Sequence, residues 1–273
     1  MARYELKGKT VVMTGASGGI GSEAAAAFGR RGARLVLSGR NVEALERAAE
    51  KARAAGGEAH VVAADVTRRE EMEALAGKAV ELTGALDVMM LGAGYGVLGG
   101  VENITPEQWR EQMDVNFFGA LNGFYAALPH FLKQGHGRYI IMNSLSGRMA
   151  MGLSAPYCAS KFALWGFTDS ARCELSGKNI HLLAVYPYFV KTSFQGNIRS
   201  PDFQVPADLA ARMFGQSPAR LAEQIVRACE KGREEMLCTA LGKIGVRVVP
   251  LSYHASEWFR RRLLPLTRRI LRG

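Results

Sequence analysis

The chain has 273 residues, of which 48% are hydrophobic, so one large α/β core accounts for it and we predict a single domain over residues 1–273. The formal net charge is +10, but eight basic residues and one acidic residue lie from Lys243 onward, and no aromatic platform accompanies them, so nucleic acid is not an expected partner. Four scattered cysteines, no apolar signal region and no long apolar run predict a soluble, cytoplasmic protein without a metal site.

Short apolar runs alternate with longer stretches of helical period along the chain. The predicted strands are Thr10–Met13, Leu35–Ser38, His60–Ala63, Val88–Leu91, Tyr139–Asn143, Leu182–Tyr186 and Met236–Thr239. The predicted helices are Ile20–Arg31, Val42–Ala55, Arg69–Thr83, Pro106–Lys133, Tyr157–Ser176 and Pro218–Lys231. This alternation predicts an α/β fold: a Rossmann-type, doubly wound parallel sheet of about seven strands with helices on both faces.

Two segments lie outside this alternation. Residues 190–215 have no clean period and follow a strand, which is typical of a substrate lid. Residues 243–273 form a basic amphipathic extension, interrupted by Pro265. Its apolar stripe predicts either contact with a membrane surface or docking on the protein's own body, and both alternatives stay open. The stripe consists of Phe259, Leu263, Leu266 and Ile270, and the arginines away from it are Arg261, Arg268 and Arg272.

A glycine-rich turn joins the first predicted strand to the first helix. Glycines at 15, 19 and 21 permit a tight turn and close approach of the backbone to a pyrophosphate at the helix N-terminus. Ser17 and Ile20 belong to the same turn. The alternative is a glycine-rich turn that binds nothing, but its position between strand and helix favours a dinucleotide site.

The end of the second strand carries Gly39 and Arg40 where an acidic residue would bind a ribose 2′-hydroxyl. An arginine there suits a 2′-phosphate, so NADP(H) is the preferred cofactor and NAD(H) the alternative. Ser17 and Ser38 are further candidates for the phosphate. Arg40 as an ordinary solvated residue is the competing interpretation.

Tyr157 and Lys161 lie four residues apart on a predicted helix, and Ser144 precedes them by one loop. Side chains at this spacing are neighbours, so an ammonium at 161 is expected to lower the pKa of the Tyr157 phenol from about 10. Such a tyrosine is a candidate acid and base. The pair alone is weak evidence, since it occurs by chance on many solvated helices.

With its glycine motif, Asp65-Val66, Asn116, Ser144, Tyr157 and Lys161 in this order and spacing, the chain resembles the short-chain dehydrogenase/reductase family up to about Thr239. The string from Tyr157 to Leu164 is similar to the steroid and retinol branch. The resemblance implies that Tyr157 is the general acid or base and that Ser144 binds the substrate oxygen. It also implies that Lys161 holds the nicotinamide ribose and that Asn116 holds a water. The expected cofactor contacts are Gly15, Ser17, Gly19, Ile20, Gly21, Arg40, Asp65, Val66, Ala93, Tyr157, Lys161 and Thr192.

Two positions depart from the family pattern. Gly92-Ala93-Gly94 replaces Asn-Ala-Gly, which removes an amide that braces strand and cofactor. Pro187-Tyr188 replaces Pro-Gly, which places a ring near the nicotinamide or the substrate mouth.

The sequence therefore predicts an NADP(H)-dependent oxidoreductase that interconverts a carbonyl and an alcohol. A non-catalytic cofactor sensor with the same fold is the alternative, but the complete set Asn116, Ser144, Tyr157 and Lys161 favours catalysis. An apolar lid favours a lipophilic substrate. Its apolar residues are Tyr188, Phe189, Phe194, Ile198, Phe203, Val205, Leu209, Met213 and Phe214. A homodimer or homotetramer is expected, with plain core packing as the competing explanation for the apolar residues Phe117, Phe118, Phe124, Leu164, Trp165 and Phe167.

Overall fold

The computed structural model describes residues 3–192, 197–204 and 215–238. Its strands are β1 (Thr10–Thr14), β2 (Arg34–Gly39), β3 (Glu58–Ala63), β4 (Val88–Leu91), β5 (Gly96–Val97), β6 (Gly137–Met142), β7 (Ile180–Tyr186), β8 (Ile198–Arg199) and β9 (Glu235–Leu237). Its α-helices are α1 (Gly19–Gly29), α2 (Val42–Ala54), α3 (Arg69–Thr83), α4 (Pro106–Met113), α5 (Gly119–Gln134), α6 (Ala155–Glu174) and α7 (Pro218–Glu230).

The main sheet has seven parallel strands in the order β3-β2-β1-β4-β6-β7-β9. The chain builds outward from β1 to β3, crosses back, and builds outward again from β4. The order therefore reverses between β1 and β4, and ligands of doubly wound sheets bind outside the carboxyl ends of the strands at this point. The sheet confirms the predicted fold class.

Both faces of the sheet are covered by helices, because its strands are apolar on both sides. Val11 and Met13 of β1 pack in one core with residues of α1, α2 and α7. Val12 points the other way and packs in a second core with residues of α3, α5 and α6. The sequence pattern of short, continuous apolar runs follows from this burial on two sides.

Local sequence features fix several helix ends. Asn41 accepts a hydrogen bond from the backbone nitrogen of Ala44 at the start of α2, at 3.0 Å. Thr105 and Gln108 form a reciprocal capping box at the start of α4. Gly84, with φ of 82°, ends α3 in the left-handed conformation that glycine adopts without strain.

The predicted continuous helix Pro106–Lys133 is wrong in one respect. A π-helical turn, Asp114–Phe118, separates α4 from α5. Such turns widen a helix by one residue, and they are frequent at functional sites. Here the turn carries Asn116, whose side chain is 1% exposed and points into the protein. The periodicity of the sequence did not indicate this interruption.

The segment 190–215 leaves and rejoins the fold at neighbouring positions, because Lys191 donates a backbone hydrogen bond to Gln216 at 3.0 Å. Within this segment, residues 197–204 contain β8, which pairs with β5 in a second, two-stranded parallel sheet. Residues 193–196 and 205–214 lie outside the described residues, as does the extension 243–273 together with the predicted strand end at Thr239. Within the described ranges, no helix has the length and apolarity needed to cross a membrane.

Candidate active site

The glycine-rich turn forms a backbone cradle at the junction of β1 and α1. Gly15 has φ of +66°, and a β-carbon added there would lie 2.7 Å from the backbone nitrogen of Ala93. A β-carbon at Gly19 would lie 2.8 Å from the Cβ atom of Thr192. The turn, the end of β4 and residue 192 therefore meet at the N-terminus of α1, where free N–H groups favour an anion. Ile20 packs at the edge of the α1 core.

The end of β2 presents Arg40 to solvent. Its side chain is 77% exposed, and its Nη1 atom lies 3.9 Å from Asp65 Oδ2. Partial burial disfavours the Asp65 carboxylate, but hydrogen bonds from Thr67 and the charges of Arg40 and Arg68 outweigh this and lower its pKa. Asp65 is therefore an ionised neighbour of Arg40, and both lie at the carboxyl edge of the sheet.

Of the two serines predicted to bind phosphate, only Ser17 lies at this surface. A β-carbon at Gly39 would lie 3.7 Å from Ser17 Oγ, so the hydroxyl faces the end of β2. Ser38 is 1% exposed, which makes its hydroxyl inaccessible to a cofactor, and the prediction for Ser38 is wrong. Val66 is also buried, and its backbone carbonyl accepts a hydrogen bond from Asn122 Nδ2 at 2.9 Å.

The end of β4 is held by Thr14, a role that the sequence did not indicate. Its Oγ1 atom accepts hydrogen bonds from the backbone nitrogens of Gly92 at 3.1 Å and Ala93 at 3.4 Å. A β-carbon at Gly92 would lie 2.8 Å from the backbone oxygen of Thr14. The bracing expected to be lost with the missing asparagine is thus provided by a threonine hydroxyl on the neighbouring strand.

Asn116 and Lys161 meet on either side of Gly94. A β-carbon at Gly94 would lie 3.0 Å from Asn116 Oδ1 and 3.9 Å from Lys161 Nζ. The amide of Asn116 also accepts a hydrogen bond from the Tyr95 nitrogen and donates one to the Tyr95 oxygen, both at 3.0 Å. Its Nδ2 atom lies 3.2 Å from Ser160 Oγ, and this ties the π-helical turn to α6.

Tyr157 is partly buried, and this reverses one expectation. Burial raises the pKa of its phenol to about 12, and a hydrogen bond with Ser144 opposes the rise. Lys161 Nζ lies 5.8 Å from the centroid of the Tyr157 ring and donates a hydrogen bond to the Met142 oxygen at 2.9 Å. The prediction that Lys161 lowers the pKa of Tyr157 is therefore wrong for this structure: desolvation decides the direction.

Lys161 is 5% exposed, and burial lowers the pKa of its ammonium to about 8.

Ser144 lies at the end of β6 in an extended conformation, and its Oγ atom accepts a hydrogen bond from the backbone nitrogen of Ser146 at 3.1 Å. Tyr188 is half-buried beside Phe189, with ring centroids 4.8 Å apart, and burial raises its pKa. The structure thus brings Asn116, Ser144, Tyr157 and Lys161 to one end of the sheet.

Comparison with known proteins assigns the family. A family model described as short chain dehydrogenase matches residues 9–202. The chain belongs to the short-chain dehydrogenase family. This confirms the resemblance and makes the protein an oxidoreductase that acts with a nicotinamide cofactor.

The relatives of this short-chain dehydrogenase include an uncharacterised oxidoreductase of Listeria innocua, 32% identical over 83% of this chain and 92% of the relative. Dehydrogenase/reductase SDR family member 7B of Bos taurus is 30% identical over 86% of this chain and 74% of its own length. A short-chain dehydrogenase/reductase from Burkholderia phymatum, solved with NAD, superposes with a TM-score of 0.82 at 26% identity, covering 89% and 93% of the two chains. A metagenomic short-chain oxidoreductase solved with NADP gives 0.72 at 28% identity, covering 85% and 97%.

Proposed function

We propose that this short-chain dehydrogenase is an NADP(H)-dependent enzyme that interconverts a ketone or aldehyde and an alcohol on a lipophilic substrate. The observation that carries the proposal is the burial of Asn116 and Lys161 at the crevice end of the sheet, beside a partly buried Tyr157 that is hydrogen-bonded to Ser144. Surface pairs that arise by chance are solvated and need no such desolvation.

Tyr157 is the proton donor in carbonyl reduction. With a pKa near 12 the phenol is neutral at pH 7 and keeps a proton to give. The Ser144 hydroxyl, which already contacts the phenol, is placed to hydrogen-bond the same substrate oxygen and to stabilise charge that develops on it. Hydrogen bonds from Lys161 to Met142, and between Asn116 and both Tyr95 and Ser160, fix the segments that surround Tyr157.

The residues present fit a nicotinamide dinucleotide, because Gly15 and Gly19 let the glycine-rich turn pack against the end of β4 and Thr192 at the N-terminus of α1, where backbone N–H groups favour a pyrophosphate. When bound, the nicotinamide supplies or accepts the hydride. Arg40 would hold the 2′-phosphate of NADP(H), with Ser17 beside it, and Asp65 would contact the adenine, with the largely buried Val66 next to it. Ala93 and Thr192 border the same crevice.

A lipophilic substrate is supported by the apolar residues near the crevice. Among the described ones, Tyr188, Phe189, Ile198 and Phe203 are partly buried, so they retain surface that a ligand can cover. The remaining apolar residues of 190–215 lie outside the described ranges. The substrate class proposed is a steroid, a retinoid or an acyl ketone.

A screen with NADPH and NADP+ tests the proposal directly. Steroid ketones, retinaldehyde, acyl ketones and small sugars are compared by NADPH consumption, with NADH in parallel. We expect the highest kcat/KM for an apolar carbonyl compound with NADPH. Turnover confined to sugars would refute the substrate class, and a preference for NADH would refute the role of Arg40.

We also propose a homodimer formed through one face of the π-helical turn and α5. Phe118, Tyr125 and Leu132 are 49%, 54% and 48% exposed and lie seven residues apart, so they share one helical face. Of the apolar residues suggested by the sequence, Phe124 and Leu164 are core residues instead. Light scattering of Tyr125→Glu should show a monomer where the wild type is dimeric.

The extension 243–273 is proposed to bind anionic membranes as a peripheral contact of a cytoplasmic protein. The intact chain should co-sediment with anionic vesicles at low salt and dissociate as salt rises, and a chain ending before His254 should stay in solution. Equal partitioning of both chains would refute the contact and leave docking on the protein's own body.

A further inference from the structure

Arg148 lies directly after the turn that carries Ser144. That turn is a short 3₁₀ helix, Leu145–Gly147, and the backbone nitrogen of Arg148 donates to the Leu145 oxygen at 3.0 Å. The side chain of Arg148 is only 19% exposed, which is unusual for an arginine. Its surroundings therefore need an explanation.

The Arg148 guanidinium lies near two aromatic rings and a carboxylate. Its central carbon is 4.8 Å from the ring centroid of Trp165 and 5.4 Å from that of Tyr186. Its Nη1 atom donates to Glu235 Oε1 at 2.7 Å. A planar, weakly hydrated guanidinium can face aromatic rings and pair with a carboxylate at the same time, whereas an ammonium acts as a point charge.

These contacts fix the Ser144 turn on the helix that carries Tyr157. Gly147 sits against the backbone of Lys161, since a β-carbon there would lie 2.7 Å from the Lys161 oxygen. Arg148 contacts Trp165, which is one helical turn beyond Lys161. The turn therefore rests on α6 at two successive positions, while Tyr186 and Glu235 anchor Arg148 to the ends of β7 and β9.

We infer that Arg148 is a positioning residue for catalysis: it holds the Ser144 hydroxyl at its working distance from Tyr157 and from the substrate oxygen. The inference rests on the proposed roles of Ser144 and Tyr157. Arg148 is a positioning residue and not a catalytic one, and its charge is balanced by Glu235. Its removal should therefore lower kcat and leave cofactor affinity and KM nearly unchanged.

Arg172 provides a matched control. Its side chain is 20% exposed, lies on α6 with Tyr157 and Trp165, and pairs with Asp169 at 2.7 Å. It also donates to the Glu234 oxygen at 3.0 Å, close to Glu235 in sequence. These contacts, all with described residues, do not involve the Ser144 turn. Loss of either arginine should destabilise the fold, but only loss of Arg148 should misplace Ser144.

The experiment compares Arg148→Met, Arg148→Lys and Arg172→Met with the wild type, using the carbonyl compound of highest kcat/KM in the screen. Rates are divided by the concentration of NADPH-binding sites, so that an unfolded fraction does not count as lost activity. Because a misplacement of about 1 Å can cost about 100-fold, we expect kcat to fall about 100-fold in Arg148→Met and about 10-fold in Arg148→Lys. Arg172→Met should stay within about threefold, because sites that share no partners couple weakly.

The outcomes distinguish the positioning role of Arg148 from the proposed function of the enzyme. If Arg148→Met fails to fold, Arg148→Lys decides alone. Wild-type kcat in Arg148→Lys, or equal losses in Arg148→Met and Arg172→Met, would overturn the inference while leaving the proposed function intact. A raised KM at unchanged kcat would also overturn it, because that pattern marks uniform binding. Absence of turnover in the wild type would overturn the proposed function itself.

Discussion

Lys161 combines burial with charge, so its replacement by methionine should separate stability from activity. Burial lowers the pKa of its ammonium from 10.5 to about 8. Each pKa unit corresponds to about 1.4 kcal/mol, so at pH 7 the folded state carries a penalty of about 3 kcal/mol for this charge. Lys161→Met removes the penalty but also the hydrogen bond to the Met142 oxygen, at a cost of about 1–3 kcal/mol.

The pH dependence isolates the charge term. Since the folded-state pKa is the lower one, the unfolded chain binds more protons between pH 8 and 10.5, and wild-type stability gains from this group as pH rises through that window. At pH 9.5 the penalty has fallen to about 1.5 kcal/mol. The stability of Lys161→Met relative to wild type should therefore decrease by about 2 kcal/mol between pH 7 and pH 9.5, whatever the lost hydrogen bond costs.

Urea unfolding of both proteins at the two pH values measures this difference, and Lys178→Met, at an exposed position, is the control and should show no such trend. Turnover of Lys161→Met should fall about 100-fold or more, as for loss of a positioned catalytic group. A relative stability that is the same at pH 7 and pH 9.5 would refute the claim that Lys161 is a buried ammonium.

Three further changes test the site and the fold. Tyr157→Phe should lower kcat about 10²–10⁴-fold while NADPH affinity, measured by fluorescence titration, stays near wild type; a near-normal rate would rule out Tyr157 as the acid. Arg40→Asp should move the ratio of kcat/KM values toward NADH, because attraction to a 2′-phosphate becomes repulsion, whereas Arg110→Asp, at an exposed position on α4, should leave it unchanged. Gly77 lies inside α3, and a β-carbon added there would have no neighbouring atom within 4 Å, so Gly77→Ala should stabilise the fold by about 0.5–1 kcal/mol in urea unfolding. A loss of stability would show that helix propensity does not control that position.

The sequence predicted the sheet because parallel strands that are covered on both faces have short, continuous apolar sequences, such as Val88–Leu91. It also predicted which residues meet, since Asn116, Ser144, Tyr157 and Lys161 all follow or flank strands of one sheet edge. It did not predict the π-helical turn. One extra residue in a single turn changes a long helical period too little to be read from apolar spacing.

The direction of the pKa shift of Tyr157 could not be predicted from the sequence for a different reason. The i,i+4 spacing placed an ammonium near the phenol, but desolvation depends on segments that are remote in the chain and that cover the two side chains. Thr14 and Arg148 share this limitation. Their partners, Gly92, Ala93, Trp165 and Glu235, are reached only through sheet pairing and loop packing.

The close approach of Gly92 to the backbone of Thr14 has a bearing on how this enzyme can be engineered. Consensus substitution, which replaces an unusual residue by the commonest one in the family, would put asparagine at position 92. Its β-carbon would lie 2.8 Å from the Thr14 oxygen, a backbone atom fixed in the β1–β4 pairing. In this chain the consensus residue should therefore separate the two strands at the crevice, and the local sequence background, not the family average, decides which residue is stabilising there.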